Sequence, residues 1–594
     1  MRASPWVIAT GLAGVVAGAA IACGSSSGRP RELLTVPDEA GNEAGTAGYV
    51  GADAAVDPCD PAALFEARSM TGCRFLMTGS TLIPALPNWV PGGCYPFVVS
   101  NPSGEDAHLR LRFKGRDDVA AREEDAAPHA RRAIVDGRRA RYEPLERGLL
   151  RPGESAVVSA FLANSSPQDP NYGRCPTAPA FVEGHEPGAR DETITPAIEL
   201  LSDVPVSVAL AVTYAMDAVS DRQDPERLYM LPPVHLWEIT AVDTGIFKPG
   251  LPSTIEYLFE GELVSDPLFP ARTVVLAAYD DTHVTLPTTD GSSRDVTLQR
   301  GEVFSHTTRE ATIGRAAIAD RPIGLVTVTP STVIPWEYEH RLPPQDPRYF
   351  NMFLPSRAWG SEYVAVRHGD RWEGMPEEPA WRIIGGVDGT QLAYEPYQPD
   401  GAPDSITKGE LVVFFADAPF VVRSQDDAHP FYLGGTMTSP GYQRERYDDL
   451  EPYDETRGAS ISVHTLPTTL FKTQYAFFAP PGYPEHSLVL VRPAGGGEVR
   501  LDCAGALSGW QPVGERFEFI RVPLTGHLYE PVVYPSGTCH AGAHWIEGDG
   551  PFWGTLWGWG NTDTFVALNR VTIPNAYALP LVGSDRPPPS RPTK

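Results

Sequence analysis

The densest chemistry in this chain is an aromatic run, Phe552-Trp553-Gly554-Thr555-Leu556-Trp557-Gly558-Trp559-Gly560. A strand alternates its side chains, so Trp553, Trp557 and Trp559 share one face and the three glycines take the other. A row of indoles is a ligand platform for stacking on a sugar or a peptide. Indoles backed by glycines equally suit a core in which another backbone approaches closely. Just upstream, Cys539, His540 and His544 have the atom types of metal ligands, but a thiol of an oxidising compartment is consumed as a disulfide. Asp217, Asp221 and Asp224, and separately Asp448, Asp449, Asp454 and Glu455, offer the oxygens that calcium takes in numbers. Acidic loops are ordinary on an acidic chain, and these clusters nominate no metal site. Glu337 and Glu339 fall on one strand face, whereas glycoside hydrolysis needs two carboxyls across a cleft. Gly24-Ser25-Ser26-Ser27-Gly28 has the letters of a nucleophile elbow without a strand before it or a helix after it. His-Glu-x-x-His, phosphate-loop and EF-hand patterns are missing. The residues thus nominate no catalytic set, no metal and no cofactor.

One cysteine carries a specific chemistry. Arg2 and the apolar stretch from Trp6 to Ala22 form an export signal, too short and too rich in Gly and Ala for a membrane span. Ala20-Ile21-Ala22-Cys23 follows the bacterial lipobox, with Ala20 where Leu is usual, and makes Cys23 the site of lipidation. An ordinary secretory peptide cut nearby is the alternative. Residues 24–57 are rich in Gly, Ala, Ser and acids without apolar periodicity, which reads as a disordered tether. Cys23 apart, six of the seven cysteines remain. Six allow fifteen connectivities; proximity in sequence and membership of one unit favour Cys59 with Cys73, Cys94 with Cys175 and Cys503 with Cys539.

The elements that must position these residues are strands. Sixty prolines and 56 glycines leave long helices little room, and the runs between them, such as Tyr95 to Ser100 and Leu411 to Phe415, are β-branched and aromatic. The formal net charge of −27 argues against nucleic acid as a partner and against adsorption on an anionic membrane surface. A repeat then organises the chain. Thr282 is followed nineteen residues later by Gly301-Glu302, and Thr390 by Gly409-Glu410 at the same interval, an offset of 108. Ser202-Asp203-Val204-Pro205-Val206, Ala319-Asp320-Arg321-Pro322-Ile323 and Ala416-Asp417-Ala418-Pro419-Phe420 share an Asp-x-Pro step. Leu-Pro-Ser or Leu-Pro-Thr recurs at Leu251, Leu354 and Leu466, each ahead of a tyrosine, Tyr257, Tyr363 and Tyr475. Leu150 to Glu154 suggests an earlier copy, swollen by a charged insertion from Lys114 to Arg141 that reads as a solvated loop or short exposed helix.

A period near 100 residues predicts an all-β protein of about four repeated antiparallel units, arranged as tandem β-sandwiches, with an elaborated propeller as the alternative. The expected divisions are the signal peptide over 1–23, the tether over 24–57, β units over 58–225, 226–345, 346–455 and 456–584, and a Pro-rich tail over 585–594.

From about Gly93 to Leu581 the chain resembles the N-terminal domain of IgG Fc-binding proteins, found in animal mucus proteins and in exported myxobacterial proteins. The resemblance rests on Gly93-Cys94-Tyr95-Pro96-Phe97-Val98-Val99-Ser100-Asn101-Pro102 and the Ala-Asp-x-Pro strands. Leu354-Pro355-Ser356 leading to Trp359-Gly360-Ser361-Glu362-Tyr363, and Cys539-His540-Ala541-Gly542-Ala543-His544 with the Trp/Gly run after it, extend it. It implies an extracellular binding or adhesion module and assigns no catalytic residue. The expected protein is a non-catalytic lipoprotein of the bacterial cell envelope, on the outer membrane, which touches membrane only through its N-terminal lipid and binds an extracellular protein or glycan. A secreted glycan hydrolase or a carbohydrate-binding enzyme subunit is the alternative.

Overall fold

The computed structural model describes residues 57–78, 94–114, 120–136, 139–164, 175–184, 192–212, 227–244, 255–259, 262–266, 271–287, 292–308, 315–329, 349–372, 374, 376–438, 458–526, 529–562 and 573–585. Cys23, the signal segment and the tether lie outside them, as do the calcium candidates, Glu337 with Glu339, Leu251 and most of the tail. Among the described residues there is one α-helix, Pro61–Glu66, started by the Asp60 carboxylate accepting from Ala62 N at 3.0 Å. The strands pair antiparallel apart from Ser155–Asn164 with Phe181–Gly184, and turns, short 3-10 segments and irregular connections join them.

One strand plan occurs four times. Each unit has a lead strand (Gly72–Thr78, Glu238–Val242, Glu362–Ala365, Lys472–Ala479) and a hub strand (Cys94–Ser100, Ala271–Ala277, Ala380–Gly385, Glu485–Pro493). A side strand follows (Ala107–Phe113, Thr282–Pro287, Thr390–Glu395, Val499–Leu501), then a flank strand (Ser155–Asn164, Glu302–Thr308, Leu411–Phe415, Phe517–Thr525). The unit ends on a crossing strand (Glu192–Val212, Ala316–Thr329, the pair Phe420–Ser424 and Phe431–Met437, Gly542–Thr562) and a closing strand (Arg227–Met230, Tyr349–Met352, Ile461–His464, Ile573–Pro580). The first half of the crossing strand pairs with the lead and side strands. Its second half pairs with the hub and closing strands, and the flank strand pairs on the far side of the hub. Every unit is therefore a two-layer sandwich whose layers are joined through the crossing strand, continuous in three units and split into two strands in the third, and the layers do not close as propeller blades.

The strand changes layer at the Asp-x-Pro step. Proline lacks the N–H that a ladder would need there, and it holds its predecessor extended. Pro205, Pro322, Pro430 and Pro551 each precede a buried apolar residue, namely Val206, Ile323, Phe431 and Phe552. Two of these corners lie outside the three Asp-x-Pro matches given above. Asp549-Gly550-Pro551-Phe552 is the fourth corner, and in the third unit the corner is Pro430, after the inserted segment Gln425 to His429. Ala416-Asp417-Ala418-Pro419-Phe420 is a coincidental match, since it joins the flank strand to the start of the crossing strand.

The other markers also acquire geometry. Gly153, Gly301 and Gly409 have φ of 76°, 78° and 76°, and their amides donate to Asn101, Ala277 and Gly385 carbonyls at 2.8, 2.9 and 2.8 Å. The following Glu154, Glu302 and Glu410 carboxylates accept from the backbone N of Arg151, Gln299 and Thr407 at 3.1, 2.9 and 2.8 Å, closing the same turn three times. Thr282 and Thr390 hydroxyls each donate three residues back, to Tyr279 and Val387 carbonyls at 2.8 Å. The Tyr363 and Tyr475 hydroxyls donate to the corner carbonyls of Phe431 and Phe552. The Leu-Pro segments are 3-10 turns, Ser356–Ala358 and Thr468–Leu470. Their counterpart in the second unit is Val234–Leu236, where Trp237 Nε1 donates to Pro232 O at 3.2 Å as Trp359 Nε1 donates to Leu354 O at 3.0 Å.

Where it is described, the charged insertion is mostly strand, with one 3-10 turn at Ala127–His129. Arg122–Asp125 is an exposed strand beside Ala107–Phe113, and Ala130–Asp136 with Arg139–Pro144 is a hairpin. Alternating signs across strands, as in Arg110 with Glu123 at 2.5 Å, suit a solvated sheet face.

Gly301 has nothing within 4 Å of where a Cβ would stand, so substitution there tests backbone conformation alone. Gly301→Ala is expected to lower stability by about 1 kcal/mol and Gly301→Asn by less, read as shifts of the urea midpoint.

Candidate functional site

The tryptophan row faces another unit. Trp553, Trp557 and Trp559 are each about 4% exposed or less, and with Val489 and Val491 of the hub strand they pack on Val364, Val366, His368 and Trp381 of the third unit. Between the units is a crevice of about 20 Å³, room for roughly one water. Their N–H groups are spent on Leu581 O at 3.2 Å, Thr555 Oγ1 at 2.8 Å and Glu485 Oε2 at 3.1 Å. The glycines behind them serve close approach: a Cβ on Gly558 would lie 2.0 Å from the Tyr577 ring, and one on Gly560 1.9 Å from Pro484. As a ligand platform the row has no free face. It is the joint between two sandwiches, a placement that a one-strand pattern contains no signal for.

Beside the row lies a buried charge cluster. Arg371 Nε donates to Glu377 Oε2 at 2.8 Å, and Arg371 Nη2 donates to Thr438 O at 2.9 Å. Thr438 donates from N and Oγ1 to Glu377 Oε1 at 2.7 and 2.6 Å. His368 Nε2 is 3.4 Å from the same oxygen, and its ring lies 5.0 Å from that of Trp557 and 5.7 Å from that of Trp559. Burial alone would raise the Glu377 carboxyl, but the charges of Arg371 and His368 and the hydrogen bonds outweigh it and hold it well below the usual carboxylate range. Glu377 is thus a permanent carboxylate clamped from both oxygens, suited to fixing a loop and unsuited to exchanging protons near neutral pH. Neither its burial nor its partners could be read from Arg371-Trp372-Glu373-Gly374-Met375-Pro376-Glu377, which resembles any charged loop.

The other joints are polar too. Between the first and second units, Glu199 is buried under Arg74, Arg112 at 3.2 Å and Arg300 at 3.4 Å, and Arg74 Nη2 donates to Ala278 O at 2.8 Å. The crossing strand of the first unit also extends the sheet of the second, Glu192 to Pro196 pairing with His306 to Glu302. Between the second and third units, the Tyr432 hydroxyl and His464 Nδ1 lie 2.8 Å apart, and His464 Nε2 lies 3.1 Å from Met352 O. Burial, then the nearby Arg382 charge, push His464 down to about 4. Neutral His464 donating to Met352 and accepting from Tyr432 satisfies both contacts. The fourth unit reaches the first, Gln474 Nε2 donating to Pro102 O at 3.0 Å.

The cysteines are joined as Cys59–Cys73, Cys94–Cys175 and Cys503–Cys539, the pairs expected from proximity and membership of one unit. Asp502, Cys503 and His544 converge within 4.8 Å, but the Cys503 sulfur is in a disulfide and His544 is held by Asp502 at 3.0 Å and His540 O at 2.7 Å. That grouping does not fit a metal, because thiolate is the form that ligates.

The profile of a protein family described as IgGFc binding protein matches residues 260–558, just over half of the chain. The chain belongs to that family. The IgGFc-binding match runs from ahead of the second hub strand into the fourth crossing strand, so it covers the second sandwich without its lead strand Glu238–Val242, the third, and most of the fourth, a shorter span than the resemblance from Gly93 to Leu581. The first unit repeats the same turn and corner outside it. The IgGFc-binding family is one of β-rich, binding-type domains. No curated protein and no solved structure matches this chain.

Removing one partner from the clamp leaves an uncompensated buried charge. Glu377→Gln is expected to cost about 3–5 kcal/mol in denaturant unfolding, and Arg371→Met with Glu377→Gln less than the sum of the single changes. His464 has a folded value below its unfolded one, so its contribution is complete above about pH 6.5 and is lost as pH falls toward 4. Thermal midpoints should fall through that window, and His464→Gln should flatten the slope.

Proposed function

We propose that this chain is a non-catalytic binding protein of the bacterial cell envelope, anchored by a lipid on Cys23 and binding an extracellular protein or glycan in adhesion or envelope organisation. The observation that carries the reading is the family match across three of four jointed sandwiches. Three disulfides favour an oxidising, extracytoplasmic compartment. Among the described residues no helix is long and apolar enough to cross a membrane; on this reading the N-terminal lipid supplies the attachment, with secretion as the alternative. The hydrolase alternative needs two carboxyls across an open cleft. Glu377, the deeply buried carboxylate of the third and fourth units' joint, has its oxygens occupied by Arg371 and Thr438, which favours a structural role for it.

The test has two arms. Cys23→Ser should abolish lipid labelling and release the protein from membranes; retained labelling would sink the anchor. The purified protein should capture a ligand from envelope extracts or on a glycan array without consuming it, whereas release of shortened glycans would instead favour the hydrolase.

A further inference from the structure

The four flank strands occupy one position in one repeated plan, each on the outer side of its hub strand. In three units a further strand covers the flank strand's other edge. Val157 and Val158 of the first are paired by Arg131 and Ala130, and Phe161 by Phe181. Glu302 to His306 of the second is paired by Pro196 to Glu192, a strand lent by the neighbouring unit. Phe517 to Phe519 of the fourth is paired by Val513 to Gln511. The third flank strand, Leu411–Phe415, ends its four-stranded sheet, and no described strand pairs with its outer edge.

That edge also lacks the usual protection. Natural edge strands carry a charge, a proline or a bulge that stops another strand from adding. Leu411-Val412-Val413-Phe414-Phe415 has none of these, and all but Phe414 are half-buried. Glu410 O accepts from Gly385 N at 3.1 Å and Ala416 N donates to Pro379 O at 3.3 Å. Residues 410 and 416 therefore turn their backbone groups inward, and by alternation Leu411, Val413 and Phe415 turn theirs outward.

We infer that this edge is a self-association site, where Leu411–Phe415 of two copies pair antiparallel about a twofold axis at Val413. Two arguments select a second copy as the occupant. The outward residues fall at 411, 413 and 415, so a twofold at Val413 sets Val413 against Val413 and Leu411 against Phe415, with about six backbone hydrogen bonds and no register conflict. The chain already uses the equivalent edge of the second unit to continue a sheet between units. The inference goes beyond ligand binding and stands whether or not Cys23 is lipidated.

Sedimentation velocity on the purified full-length protein over about 1–100 μM is the test, since weak symmetric edges fall in that affinity range. The wild type is expected to show a concentration-dependent dimer. Val413→Pro removes an outward N–H while sparing the bonds of Val412 and Phe414, and Val413→Lys puts like charges together at the axis. Both should be monomeric, and mixing Val413→Lys with Val413→Asp should restore association. Hydrogen exchange on the wild type decides the matter if a variant fails to fold: amides of Leu411, Val413 and Phe415 should slow as concentration rises. A wild type that stays monomeric, or a dimer indifferent to Val413 with unchanged exchange at these amides, overturns the inference.

Discussion

Everything in this fold follows from one strand having to serve two sheets. A sandwich needs both layers to end on paired backbone, and here a single crossing strand supplies the ladder for each layer in turn. The change of layer happens where proline cannot donate, so no hydrogen bond is lost at the bend. The corner carbonyl left by the bend in the third and fourth units is satisfied by a tyrosine hydroxyl, Tyr363 or Tyr475, sent from the lead strand. The apolar residue after each proline then enters the core, which fixes which face of the crossing strand is inside.

Joining such sandwiches raises a different problem, since their outer faces must be selective without being sticky. Indoles and valines cover the joint between the third and fourth units, and the clamp of Arg371, Glu377 and Thr438 sits at its margin. Buried ion pairs contribute little net stability because desolvation offsets their attraction. Removing one partner leaves a buried charge uncompensated, so each pair depends on its partner across or beside the joint. Glu199 beneath three arginines plays that part between the first two units, and the Tyr432 and His464 network between the next two. A chain of net charge −27 thus spends several of its scarce cations on internal joints.

Much of this was legible in the residues themselves. Thr282 and Gly301, or Thr390 and Gly409, recur because a left-handed turn needs glycine and a buried threonine needs a local carbonyl, and both demands are local. Proline in Asp-x-Pro was legible for the same reason, although Ala416 to Phe420 satisfied the letters without the role and Asp549 to Phe552 had the role unnoticed. The reason is that a corner is defined by which strands flank it, and a five-residue pattern holds no record of them. The charged insertion was misread as loop or helix because its strands are stabilised by cross-strand charge pairs rather than by an apolar alternation.

The tryptophan row marks the boundary between the two kinds of knowledge. Alternation along the strand determined that the three indoles share a face, because a strand's geometry is fixed by its own backbone. Whether that face met solvent, its own core or a neighbour depended on where the third unit came to rest. Sequence by itself determined the strand content and the turns, which are set by interactions a few residues long, and displayed the repeat; it favoured the cysteine pairing, which spans 14, 81 and 36 residues, without deciding it. Only the tertiary structure decided that the indoles form a joint, that Glu377 is a buried carboxylate and that one flank strand alone has no described strand on its outer edge. Those facts arise from contacts between units about 100 residues apart, where burial and desolvation act and local propensity does not.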